Sequence, residues 1–134
     1  MEKSDILAKG AILQRDKETY AITARLLSGV MDVATGRRIA DTAEKYGVEM
    51  LKITGDGRLS LMGIKEEDID AAYGEMGFKA QAGTALCQQY IKVCPGNTFC
   101  LRGQKDPLDL ARKIDERFYP YPKISAKVKI GIAG

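Results

Sequence analysis

Short apolar runs separated by polar turns mark the first part of the chain. Residues 11–14 and 20–26 are strand-like, and the polar segment between them is typical of a hairpin loop. Apolar residues then recur at helical spacing from 33 to 46, after Asp32 as an N-cap and before Gly47 as a stop. The pattern predicts a β-hairpin followed by an amphipathic helix.

A second hairpin and a second helix are predicted downstream. Residues 48–54 and 58–62 read as strands that flank the turn sequence Gly55-Asp56-Gly57. An acidic-started helix follows over residues 65–73 and is closed by glycines. The order ββαββα over residues 8–76 therefore predicts an α+β fold with an antiparallel sheet.

The second part of the chain has a different order of elements. Residues 78–83 are rich in Gly and Ala and lack a helical or strand pattern, which predicts a boundary between two lobes. The predicted lobes are residues 1–77 and residues 78–134. The later lobe is predicted to be a smaller α/β unit, with a short helix at 84–89. Its strand, helix and strand are expected at residues 90–93, 107–118 and 124–133.

Charge and hydropathy exclude several partners. The chain has 21 basic and 18 acidic residues in 134, and its net charge of +3 comes with no dense basic run. We therefore predict no nucleic-acid partner. No apolar run is long enough to span a bilayer, and residues 1–5 lack the apolar core of a signal peptide. These features predict no membrane partner and a cytoplasmic protein.

The cysteine and histidine content restricts the possible metal chemistry. The three cysteines are Cys87, Cys94 and Cys100, and there is no histidine. An odd count without a secretion signal argues against a disulfide framework. Without histidine, metal binding must use thiolates or carboxylates. Cys87 is interpreted as a buried free thiol.

Cys94 and Cys100 are the most informative pair. They lie on a Pro-Gly turn after a predicted strand, and thiolates bind soft metals and iron–sulfur clusters. The spacing by itself favours two buried free thiols beside a turn, because two thiolates cannot complete a four-ligand cluster. A zinc or dithiol site is a further alternative.

The wider segment adds a resemblance to a known family. Cys94-Pro-Gly-Asn-Thr-Phe-Cys100 with the following Leu101-Arg102-Gly103 resembles the first half of the cluster motif of nitrite and sulfite reductases. Three upstream segments resemble the same family in the same order, so that the match runs from about Ala11 to Gly134. They are residues 23–29, 39–47 and 51–64.

The resemblance implies a ferredoxin-like antiparallel lobe and a coupled sirohaem–[4Fe–4S] centre. In the family a second cysteine pair follows a helix and a strand, and four thiolates then hold the cluster, the last of them bridging to the sirohaem iron. Residues 127–134 resemble the strand before that pair. Cys94 and Cys100 are thus expected to be metal ligands, with two further cysteines beyond Gly134. The chain by itself is expected to be an inactive front part of the enzyme.

The resemblance also implies which basic residues surround the cofactor. The family places cations around the cofactor at the positions of Arg25, Arg58, Lys127 and Lys129. These cations are expected to bind the carboxylates of the cofactor and the oxyanion substrate, and to supply protons. Lys127 and Lys129 share one strand face. Arg102 is expected near the cofactor.

The implied function is reduction of sulfite or nitrite, with electrons from an external donor entering through the cluster. Asp56 and Gly57 replace residues usual in the family, and Gln88 and Gln89 lie near an Arg of some relatives. These departures leave the choice between sulfite and nitrite open. The alternative interpretation is a non-catalytic α+β binding or assembly module that retains the reductase scaffold.

Overall fold

The first lobe is built on a four-stranded antiparallel sheet. The structure is a computed structural model that describes residues 2–55, 57–78, 90–118 and 129–134. The strands lie in the order β1-β2-β4-β3, and both predicted hairpins are present. Their bounds are β1 Ile12–Leu13, β2 Thr19–Ala24, β3 Met50–Ile53 and β4 Leu59–Lys65.

Two helices belong to this lobe, α1 Val33–Lys45 and α2 Ile69–Met76. Asp32 caps α1 as predicted, since its Oδ1 accepts the Thr35 backbone N–H at 2.7 Å. The predicted start of α2 was too early, because a 3-10 turn at Glu66–Asp68 precedes it. The helix also continues through Gly74 to Met76, and Gly77 caps its end with a φ of +79° that suits glycine.

The core of this lobe lies between the helices and one face of the sheet. Its fully buried side chains alternate along β2 and β4 and recur along the helices. They include Ile22, Leu61, Ile64, Ile39, Ile69 and Met76. The edge strand β3 leaves its apolar side chains largely exposed.

The cap of α1 supplies a testable dependence of stability on pH. Hydrogen bonds from the Thr35 side chain and backbone hold the pKa of Asp32 below its ordinary value of 3.8. The charged cap therefore contributes its full stability above pH 3.8, and that contribution is lost as the pH falls through the lower, folded-state pKa. We expect Asp32→Ala to lower the midpoint of thermal unfolding by about 2–6 °C at pH 7.

The difference between Asp32→Ala and wild type should shrink when the melts are repeated near pH 3. Asp41→Ala is the control, since Asp41 is exposed inside the same helix and caps nothing. A Tm loss in Asp41→Ala as large as that in Asp32→Ala would contradict the cap assignment.

The second lobe is a parallel strand–helix–strand unit. Strands β5 Tyr90–Val93 and β6 Lys129–Ile132 pair in parallel, with Val93 opposite Ile132. Helix α3, Pro107–Phe118, connects them as the sequence predicts. The predicted helix at 84–89 and the first half of the final strand lie outside the described residues. No helix in the described ranges combines the length and apolar character needed to cross a lipid bilayer.

Candidate functional site

Two of the predicted cations lie at the same end of the antiparallel sheet. Arg25 follows β2 and Arg58 precedes β4, directly beyond the paired residues Ala24 and Leu59. Ala24 and Leu59 are buried in the core, so strand alternation places both arginines on the opposite face of the sheet. Folding thereby brings together two cations from separate hairpins.

A pair of hydroxyl groups shares this face. Thr23 and Ser60 are register partners, and their Oγ atoms lie 3.1 Å apart. Single hydroxyl residues are common in strands, so nothing in the sequence marked these two. They extend the polar surface that begins at Arg25 and Arg58.

Arg25 also joins the two lobes. Its Nη2 donates to Asp115 Oδ1 in α3, and the two side chains are only 22% and 16% exposed. Sequence reasoning missed Asp115, since no local pattern connects residues 90 positions apart. Arg25 therefore has a structural partner besides any anion that it would bind.

The Arg25–Asp115 ion pair predicts a stability effect. Asp115→Ala removes the carboxylate and leaves a partly buried guanidinium with less compensation. We expect the free energy of unfolding to fall by about 1–3 kcal/mol, measured by urea denaturation. Glu116→Ala, at the exposed next residue, is the matched control and should change stability by less than about 0.5 kcal/mol. Equal effects of the two substitutions would contradict a structural role for the ion pair.

The turn before Arg58 packs closely against the segment after β2. Arg58 N donates to Thr54 Oγ1 at 3.0 Å, and Thr54 N donates to Arg58 O at 2.8 Å. A Cβ added to Gly29 would lie 3.0 Å from Gly57 O. The glycine of each segment therefore allows the two backbones to touch, which fixes the position of Arg58.

A pocket of about 390 Å³ opens where this segment contacts the second lobe. Ser28 lines it with an unfavourable φ of +57°. Within the part of the chain that the structure describes, the buried Ser28 hydroxyl has no hydrogen-bond partner. Further lining side chains are Leu27, Val30, Thr98, Leu108 and Arg112. Strain and an unsatisfied hydroxyl are typical of binding sites.

The predicted thiol pair flanks Thr98, which lines this pocket, in the sequence. Cys94 directly follows β5, and Cys100 comes two residues after a 3-10 turn at Gly96–Thr98. Both thiols are free; Cys94 is half-buried and Cys100 is exposed. The backbone N–H of Gly134, after β6, donates to Cys94 Sγ at 3.2 Å. The parallel pairing of β5 and β6 thus brings the end of the chain to the first thiol.

The donor set fits half of an iron–sulfur site. Cys94 and Cys100 supply two soft ligands, and the N–H···S contact is of the kind that tunes such clusters. Within the described ranges, no group of three or more Cys, Asp or Glu side chains is placed to hold a metal ion. A four-iron cluster held by Cys94 and Cys100 would take two further ligands from other residues.

Two of the remaining predicted site residues are described by the structure. Arg102 is exposed in the loop after Cys100, and Lys129 is exposed at the start of β6. Lys127 and Cys87 lie outside the described residues, so the shared face of Lys127 and Lys129 stays a prediction. Of the predicted cations, the structure brings only Arg25 and Arg58 to one place among the residues that it describes.

Comparison with known proteins decides the family. The profile described as the nitrite/sulfite reductase ferredoxin-like half domain matches residues 12–78, from the start of β1 to two residues beyond α2. The chain belongs to the nitrite/sulfite reductase family. The match confirms the resemblance inferred from the sequence.

Two curated reductases illustrate the relationship. The chain is 37% identical to an assimilatory-type sulfite reductase of Nitratidesulfovibrio vulgaris over 126 residues, which cover 94% of this chain and 57% of that protein. It is 30% identical over 108 residues to a nitrite reductase [NAD(P)H] of Bacillus subtilis, covering 81% of this chain and 13% of the relative. The chain thus spans little more than half of the first relative and a small part of the second.

A solved structure shows the same fold. The NirA protein of Mycobacterium tuberculosis superposes with a TM-score of 0.75 at 14% identity, over 98% of this chain and 25% of NirA. The predicted α+β, ferredoxin-like fold is confirmed.

Proposed function

We propose that this chain is part of an oxidoreductase that reduces sulfite or nitrite at a coupled sirohaem–[4Fe–4S] centre. The observation that carries the proposal is the contact of Gly134 N with Cys94 Sγ at 3.2 Å. It supports the proposal because Gly134, after β6, lies beside the first thiol, and the family resemblance expects the second cysteine pair to follow Gly134. The 134-residue chain alone is proposed to be inactive, because it holds only two cluster ligands.

The thiol pair would serve as one half of the cluster cage. Cys94 and Cys100 would each donate a thiolate, and two cysteines after Gly134 would donate the others. When bound, the coupled centre supplies electrons to the oxyanion. The half-buried position of Cys94 limits solvent access to its sulfur, which favours a stable ligand.

The two arginines at the end of the antiparallel sheet would bind the carboxylates of the cofactor and the oxyanion substrate. Arg25 and Arg58 lie on one face and carry planar donor forks suited to carboxylates and oxyanions. Arg25 would bind an anion in addition to forming its ion pair with Asp115. The hydroxyls of Thr23 and Ser60 would add neutral donors on the same face.

Lysines are the better proton donors among the proposed cations, because arginine keeps its proton in proteins. We propose that Lys127 and Lys129 orient the oxyanion and deliver protons as its oxygen leaves as water. Arg102 is proposed to stabilise the negative charge of the cofactor near Cys100. The electrons are proposed to come from an external donor, and the enzyme is proposed to work in the cytoplasm.

The test is expression of the full reading frame with sirohaem, iron and sulfide. The product should show sirohaem absorbance bands and reduce sulfite or nitrite with a reduced dye as donor, whereas the 134-residue chain should not. Comparing the rates on the two anions identifies the substrate. A full-length product that takes up neither cofactor would contradict the proposal and favour a non-catalytic module.

A further inference from the structure

We propose that Gly96, Gly103 and Gly134 form a backbone junction that positions the Cys94 sulfur, with Gly134 as the central positioning residue. The consequence of this inference for cluster binding rests on the proposed function. The positioning itself is a property of the chain and is tested without any metal.

Hydrogen bonds tie three separate backbone segments together at this point. Gly134 N donates to Cys94 Sγ, while Gly134 O accepts the N–H groups of Gln104 and Lys105, the latter at 3.0 Å. Asn97 N donates to Lys105 O at 3.0 Å. The segment after β6 is thus clamped between the thiol and the loop before α3.

Close packing leaves no room for a side chain at the three glycines. A Cβ at Gly134 would lie 2.5 Å from Lys105 O and 2.8 Å from Pro107 Cδ. A Cβ at Gly103 would lie 2.5 Å from Asn97 N, and one at Gly96 would overlap Pro107 Cδ. The neighbours at Gly134 and Gly103 include backbone atoms, so the clash cannot be relieved by turning one flexible side chain. Any β-carbon there must therefore move the segments apart.

The tight packing is confined to glycines near the thiol loop, the segment from Cys94 to Cys100, and is not found throughout β6. Gly131 lies in β6 only three residues before Gly134, yet a Cβ there meets nothing within 4 Å. Among the described glycines of β6 and its end, Gly134 is tightly packed and Gly131 is not. Gly131→Ala, in the strand that leads to Gly134, is therefore a matched control.

The consequence is a preorganised ligand. A thiol held by a fixed N–H donor loses little further freedom when it binds iron, and a donor that stays aimed at the sulfur also stabilises added negative charge. We expect Gly134→Ala to displace the donor and release the Cys94 side chain. Cys100, exposed and outside this hydrogen bond, should be little affected.

The first experiment uses the metal-free chain and iodoacetamide. The alkylation rates of Cys94 and Cys100 are measured by peptide mass analysis in wild type, Gly134→Ala, Gly103→Ala and Gly131→Ala. We expect the Cys94 rate to rise severalfold in the first two variants and to stay at the wild-type value in Gly131→Ala. An unchanged Cys94 rate in a folded Gly134→Ala protein would overturn the proposal.

A second measurement does not depend on the folding of the glycine variants. Hydrogen exchange of the Gly134 amide is followed by NMR in wild type and in Cys94→Ala. Protection in wild type that is lost in Cys94→Ala supports the N–H···S bond, and exchange that is equally fast in both overturns it.

Iron uptake separates this inference from the proposed function. In the product of the full reading frame, Gly134→Ala should bind iron and sulfide about 10–100-fold more weakly than wild type or Gly131→Ala. Failure of the wild type to bind a cluster would contradict the proposed function, whereas the alkylation and exchange results would still decide the positioning role. Equal uptake by wild type and Gly134→Ala would overturn the inference alone.

Discussion

Replacing Cys94 by serine should abolish assembly of the proposed cluster. A serine hydroxyl is a harder ligand than a thiolate and keeps its proton at neutral pH, so one of the four soft ligands is lost. In the product of the full reading frame, reconstituted with iron and sulfide but without sirohaem, iron content should fall from about four atoms per chain to below about one. Iron analysis and the absorbance of the cluster measure the effect.

Cys87 provides the matched control for this substitution. It is the third cysteine of the chain and is predicted to be a free thiol without a metal role, so Cys87→Ser should retain full iron content. Cys100→Ser should behave like Cys94→Ser. Full iron content in Cys94→Ser, or an equal loss in Cys87→Ser, would remove Cys94 from the ligand set.

The second large effect is on stability and concerns the centre of the sheet. Leu61 lies in the middle of β4 and is fully buried in the core cluster. Leu61→Ala removes buried apolar surface and leaves a cavity that the surrounding elements cannot close. We expect the free energy of unfolding to fall by about 2–5 kcal/mol, measured by urea denaturation.

The register partner of Leu61 makes a demanding control. Leu51 in β3 stands opposite Leu61 but is 43% exposed. The same chemical change at Leu51 should cost less than about 1.5 kcal/mol, because less apolar surface is lost and water fills the space. If both substitutions destabilise equally, burial does not account for the effect.

The local elements could be predicted from sequence because their causes are local. Alternation in residues 11–26 and the Gly55–Gly57 turn indicated the hairpins, and Asp32 with Gly47 indicated both ends of α1. The start of α2 was misplaced because the acidic residues 66–68 suit a helical first turn and a 3-10 turn equally well. The strand–helix–strand order of the second lobe was also visible, since Pro107 opens α3.

The sequence by itself thus determined the α+β class, the order of the elements, the thiol pair at Cys94 and Cys100, and the family resemblance. Only the tertiary structure decided that Arg25 pairs with Asp115, that Thr23 faces Ser60, and that Gly134 donates to Cys94. These contacts join residues far apart in the chain, and no local periodicity encodes such a distance. They arise when strand pairing and lobe packing bring the segments together, and this sets the geometry of the candidate site.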